Sequence, residues 1–345
     1  ITLPSLSFIL SKLFYFQKQK YLLLTTIYRK LTLYMEIYEN QSEQTNHQHW
    51  VISITVLALF VFGSQAILQS LAFVLLPFLF DISIDQVPYL INASLDHPNA
   101  RLAFLFINSL GGGFAFYIGG WIFIRFVDRK TLRMDKQLNP HQFENLWIVL
   151  PLLIGFVLFN SLFFYLNMNF DFPEALNGLE ASFRAKEDQL MELTKYLTDF
   201  DNIGEFLLGV LVIGVLAGIG EEYLFRGIVQ PKMHQYTGNA HWGVWITAFI
   251  FSAIHFQFYG FLPRLMLGAF LGYLYLYKGS LLYPITAHIL NNTLMVFLVY
   301  FNKIGLIEFN IGEVETFNLG YVIIGLIIFL FCWNWLIKSN KKASV

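Results

Sequence analysis

Residues 203–230 read IGEFLLGVLVIGVLAGIGEEYLFRGIVQ. From Phe206 to Gly220 the stretch is apolar on every face of a helix, and with its flanks it exceeds the about 20 residues needed to cross a bilayer core of about 30 Å. Seven further apolar stretches lie near 51–77, 101–124, 146–167, 241–258, 261–277, 281–301 and 317–337. Transmembrane β-strands alternate apolar and polar residues, which these runs do not, so the helical solution is the expected one. The fold class expected is all-α, a polytopic transmembrane bundle of about eight spans.

Composition agrees with that reading. Of 345 residues 56% are hydrophobic and 13% charged, about half the charge that a water-soluble chain carries. A net charge of −1 gives no electrostatic footprint for nucleic acid. The single cysteine, Cys332, excludes an internal disulfide and cysteine-based metal clusters. Basic residues Arg125, Arg129, Lys130, Arg133 and Lys136 follow the second stretch and Lys338, Lys341 and Lys342 follow the last, whereas Asp81, Asp85, Asp96, Glu308, Glu313 and Glu315 occupy other loops. Short basic loops stay in the cytoplasm, which places both termini there.

Three regions are therefore expected. An N-terminal cytoplasmic arm covers 1–50, a transmembrane domain 51–338 with its reactive core at 203–301, and a basic cytoplasmic tail 339–345. The first methionine is Met35, so residues 1–34 either precede the native start or form a basic arm lying on anionic lipid. Residues 168–202 mix charge with Leu179, Phe183, Leu190, Leu193 and Leu197, which reads as an amphipathic surface helix or a solvated linker.

Ionisable groups inside apolar spans are the informative ones, because each costs about 2.5–3.5 kcal/mol at mid-bilayer on insertion scales. Glu222 and Arg226 are four apart, acid first, the favoured order for a helical ion pair. Glu221 points about 100° away and needs a partner from another helix. Glycines at 209, 214, 218 and 220 let such a helix approach closely. His255 closes the fifth stretch, and His288 and Asn292 share one face of the seventh. Counted from the cytoplasmic ends at about 1.5 Å per residue, the acid and both imidazoles fall within one layer of the membrane once tilt is allowed for.

A carboxylate, two imidazoles and an amide in one low-dielectric pocket suit amide hydrolysis. Glu221 would take a proton from water, and His255 would share it or pass it to the leaving amine. His288 and Asn292 would donate to the tetrahedral oxyanion, while Arg226 would hold Glu222 ionised. Two His and a carboxylate are also a recognised zinc set, so a zinc ion held by Glu221, His255 and His288 is the metal-assisted alternative. No H-E-x-x-H occurs in support of it.

The E-E-x-x-x-R of Glu221 to Arg226, the F-x-x-x-H of Phe251 to His255 and the H-x-x-x-N of His288 to Asn292 resemble the three motifs of the CPBP intramembrane proteases. That group includes type II CAAX prenyl endopeptidases and bacteriocin-processing, Abi-like proteins. The resemblance covers about 90 residues, 205–296. It implies an eight-helix architecture, a water activated by Glu221 and His255, an oxyanion site at His288 and Asn292, and a peptide or membrane-protein substrate met in the lipid bilayer. Glutamate and metal dependence have both been read for the family, and both stay open here. Lys, Asn, Ile and Phe usage points to a bacterial cell membrane. The rival from another class is a transporter, immunity or scaffold protein in which the same residues relay protons or bind helices together.

Overall fold

The computed structural model describes residues 38–40, 50–132, 137, 140–309 and 318–342. Residues 1–37 and 41–49 of the expected arm, Arg133 and Lys136 of the basic loop, residues 310–317 with Glu313 and Glu315, and 343–345 of the tail lie outside the described residues.

The chain is a helical bundle. In order the helices are α1 (Trp50–Leu79), α2 (Ala100–Val127), α3 (Phe143–Met168), α4 (Asn177–Thr198), α5 (Ile203–Thr237), α6 (Ala240–Ala253), α7 (Phe261–Lys278), α8 (Leu282–Lys303) and α9 (Leu319–Lys342). A two-stranded antiparallel pair, β1 (Tyr38–Asn40) with β2 (Lys130–Leu132), is the only sheet among the described residues. Each of the eight apolar stretches contains a helix, the fifth only as far as Ala253. Six of these, α1, α2, α3, α5, α8 and α9, are long and apolar enough to cross a membrane, which makes this an integral membrane protein. At 14 residues α6 reaches about 21 Å at 1.5 Å per residue, and α7, with Arg264 in its first turn and Lys278 in its last, is not among the six.

Residues 168–202 resolve the choice between helix and linker. Within them lies α4, 22 residues whose Leu193, Tyr196 and Leu197 pack on a cluster built by α1, α2 and the connection between them around Leu76, Leu90, Ala103 and Phe104. Its polar face stays exposed, as the amphipathic pattern requires.

Local chemistry sets the turns that position the site. Asn239 caps α6 by accepting from the His241 and Trp242 N–H groups, and Gly238, at φ 64°, ends α5 in the left-handed region that a side chain rarely adopts. Asn167 Oδ1 accepts from Leu262 N at 2.7 Å and so satisfies the first turn of α7 from α3. Two cores hold the halves together. Leu57, Phe123, Leu224, Ile228 and Phe251 join α1, α2, α5 and α6, while Leu152, Phe156, Phe270, Leu274, Tyr283 and Leu336 join α3, α7, α8 and α9.

Helix α5 runs between them. A Cβ on Gly218 would meet Ile289 of α8, and one on Gly220 would strike the backbone of Gly113 in α2. Small residues at these two positions let α5 touch both neighbours at backbone distance, as the glycine pattern led us to expect.

Candidate active site

The two acids diverge because consecutive helical residues are about 100° apart. Glu222 turns into the bundle and is fully buried with Arg226, whose Nη1 donates to Glu222 Oε1 at 2.6 Å. Arg226 Nη2 donates to the Gly268 carbonyl of α7 at 2.8 Å, and its guanidinium lies 4.9 Å from the Phe251 ring centre. This is the ion pair that the four-residue spacing led us to expect, with a tie to a third helix added.

His288 was expected as a free donor, and its geometry differs. Nδ1 stands 2.7 Å from Glu222 Oε1, and Nε2 faces Glu221 Oε2 at 3.8 Å. A carboxylate only accepts, so Nδ1 carries the proton and Nε2 of the neutral ring is a bare lone pair. Donation from Nε2 to an oxyanion therefore requires the imidazolium. Spacing carries no sign of this link, because Glu222 already has a local partner in Arg226.

His255 lies beyond the end of its helix. The fifth stretch was expected to remain helical to residue 258, yet α6 stops at Ala253. Ser252 Oγ closes the turn by donating to the Phe261 carbonyl at 2.7 Å, and Phe256 sits at φ 53°. His255 Nδ1 is 2.7 Å from the Phe251 carbonyl, which can only accept, so this ring also presents an unprotonated Nε2. Phe251 is the hub of the site. Its buried ring meets His255 at 5.3 Å, His288 at 5.9 Å and Phe225 at 5.2 Å, all edge-on.

Asn292 is placed one turn along α8 from His288. Its Nδ2 donates to the Ile213 carbonyl of α5 at 3.2 Å, and Oδ1 accepts from Asn291 at the same distance. One N–H remains for another acceptor. The structure thus joins Glu221, Glu222, Arg226 and His288 directly, sets His255 across Phe251, and ties Asn292 to the same α5–α8 seam. Among the described residues, no three His, Cys, Asp or Glu side chains are gathered so as to hold a metal ion. His288 spends Nδ1 on Glu222 and His255 spends its own on a carbonyl, which leaves the Nε2 lone pair of each ring free, as in imidazoles oriented to bind a metal, so the chemistry of Glu221, His255 and His288 stays compatible with zinc.

The loop after His255 contains groups that spacing could not reveal. Gln257 Nε2 donates to Glu187 Oε1 of α4 at 3.1 Å, and Gln257 Oε1 accepts from Arg264 Nη2 at 2.7 Å. Phe258 stacks on Phe183 at 5.1 Å, and Tyr259 donates to Glu180 beneath the Arg184 guanidinium. The Phe172 N–H and Arg184 hold the Glu180 carboxyl below its usual range, whereas burial pushes the Glu187 carboxyl up. Arg264 acts electrostatically on both Glu221 and His255. It carries no motif signature, being one basic residue in the first turn of a helix.

Comparison with known proteins bears on the same segment. The uncharacterized protein YpbD of Bacillus subtilis (strain 168) is 27% identical over 99 residues, a match that spans 28% of this chain and 48% of YpbD. No solved structure matches. Residues 203–294, which carry Glu221, His255 and His288 on α5, the α6–α7 loop and α8, match the family model described as type II CAAX prenyl endopeptidase Rce1-like.

Proposed function

We propose that this protein is an intramembrane endopeptidase that hydrolyses a peptide bond of a membrane-associated peptide or protein. The observation that carries the reading is the contact of Glu221 with His288 in a buried cluster on the segment similar to that peptidase family. Arg226 holds Glu222, Glu222 fixes the His288 tautomer, and His288 faces the one acid of the pair that retains some exposure.

In the forward step Glu221 takes a proton from a water molecule as its oxygen bonds to the amide carbon, and the carbonyl π pair moves onto oxygen. The oxyanion is met by the remaining Asn292 N–H and, once His288 is protonated, by its Nε2–H. Collapse re-forms the carbonyl, breaks the C–N bond and moves a proton to the leaving nitrogen from Glu221 or through His255 Nε2. A zinc ion held by Glu221 and the free Nε2 atoms of His255 and His288 would supply a more acidic water and polarise the carbonyl; the steps above rest on the side chains alone.

We place the protein in a bacterial cell membrane with both termini in the cytoplasm, a sidedness supported by the basic loops. Comparative peptidomics of membranes from cells carrying wild type or Glu221→Gln tests the function. Peptides produced only by wild type are expected. Identical profiles, with both proteins present, would favour the proton-relay or scaffold role for the same cluster.

A further inference from the structure

Arg264 is the cation that the proposed mechanism does not use. Its Nη2 is held by Gln257, but Nη1 is buried and meets no hydrogen-bond partner. A guanidinium presents five N–H donors in a rigid fork, and one that is buried without an anion is unfavourable unless something else supplies the charge.

The nearby acids do not supply it by contact. Among the described residues no carboxylate lies within ion-pair distance of Arg264; Glu187 acts on it at a distance and is linked to it by hydrogen bonds through the amide of Gln257. Burial raises the Glu187 carboxyl, which weakens its claim on the cation. Glu221 interacts with Arg264 electrostatically without touching it. Backbone makes room for the fork, since a Cβ on Gly260 would come within 2.9 Å of Nη2 and 3.3 Å of Nη1. A guanidinium nitrogen left buried without a hydrogen-bond partner, on a cation that acts on the reacting residues, points to a ligand.

Resting on the peptidase reading, we propose that Arg264, through Nη1, binds a carboxylate of the peptide substrate and is a specificity-determining residue. Two sources share that chemistry, the C-terminal carboxylate and an Asp or Glu side chain near the scissile bond. Arginine suits the role because its planar fork matches a carboxylate.

The test is titration calorimetry of the purified full chain in detergent with four peptides of one apolar sequence. Each has a free or amidated C-terminus, and each is made with or without a single Glu. Wild type is expected to bind one class of carboxylate-bearing peptide about ten- to a hundredfold more tightly than the neutral peptide, the range for a charge-assisted hydrogen bond. The terminal-acid arm and the Glu arm identify the source. Arg264→Gln should abolish the preference, and Arg264→Lys should retain part of it. Equal binding of all four peptides by wild type, or an undiminished preference in Arg264→Gln, overturns the proposal. The wild-type comparison needs no variant, so a misfolded Arg264→Gln does not shelter the idea. Binding is read without turnover, which separates the two readings. Selective binding with no cleaved product sinks the hydrolase and leaves the carboxylate site, whereas indiscriminate binding with cleavage does the reverse.

Discussion

Arg226→Met isolates the buried charge pair at the heart of the bundle. Methionine keeps most of the length of arginine and removes its charge, leaving Glu222 fully buried with only His288 to balance it. Two unit charges about 4 Å apart at an effective dielectric of about 20 attract by about 4 kcal/mol, and removing one partner of a buried pair costs about 3–5 kcal/mol by mutational experience. The Gly268 carbonyl also loses its donor, which adds about 1–3 kcal/mol if no water replaces it. The single variant should therefore lose at least about 3 kcal/mol. Glu222→Gln together with Arg226→Met removes both charges, and the glutamine oxygen can still accept from His288 Nδ1. That double variant should recover about 1–3 kcal/mol relative to the sum of the singles, the usual coupling for residues in contact. Denaturant titration in mixed micelles, followed by near-UV circular dichroism, reads both numbers. A single variant within about 0.5 kcal/mol of wild type, or additive singles, would refute the reasoning.

Three further outcomes follow from other parts of the molecule. Gly220→Val should destabilise the bundle by about 1–3 kcal/mol, because the added Cβ meets the Gly113 backbone of α2, which cannot yield as a side chain would; unchanged thermal unfolding in detergent would contradict that packing. Burial raises the Glu187 carboxyl in the folded protein, so its contribution is fully present below the ordinary Glu range and is lost as pH rises through and above it. Glu187→Gln should flatten that part of the stability profile measured by thermal unfolding from pH 4 to 8, and an unaltered slope would count against the burial. Peptide turnover that survives dialysis against a strong chelator is the outcome expected if Glu221 alone activates the water; loss of turnover restored by zinc would instead assign Glu221 and the free Nε2 atoms of both imidazoles to a metal.

Much of this was readable in advance, and the reasons are physical. Length and apolarity located the helices of the eight apolar stretches, because lipid leaves a backbone few other ways to satisfy its hydrogen bonds, whereas α4 lay in a stretch that reads equally as a linker. Four-residue spacing found the Glu222–Arg226 pair since helical neighbours are fixed by 3.6 residues per turn. The close approach of α5 to α8 was legible in Gly218 for the same geometric reason. What escaped depended on the third dimension or on a break in periodicity. The bond from His288 to Glu222 joins residues 66 apart, and periodicity within one helix carries no information on it. The end of α6 before His255 is set by Ser252 reaching Phe261, a side-chain-to-backbone bond with only a faint sequence signal. Arg264 belongs to no motif, and only Gln257 and Gly260 show what surrounds its fork.

Hydrolysis in water enriched in oxygen-18 puts Glu221 and its imidazole neighbours to the most direct test. Purified wild-type protein in detergent, incubated with peptides that accumulate only in Glu221→Gln membranes, should yield fragments with one heavy oxygen in each new C-terminal carboxylate, while Glu221→Gln and His255→Ala yield none above background. Labelled product formed equally by Glu221→Gln, or its absence from folded wild type, would show that this cluster does not activate water.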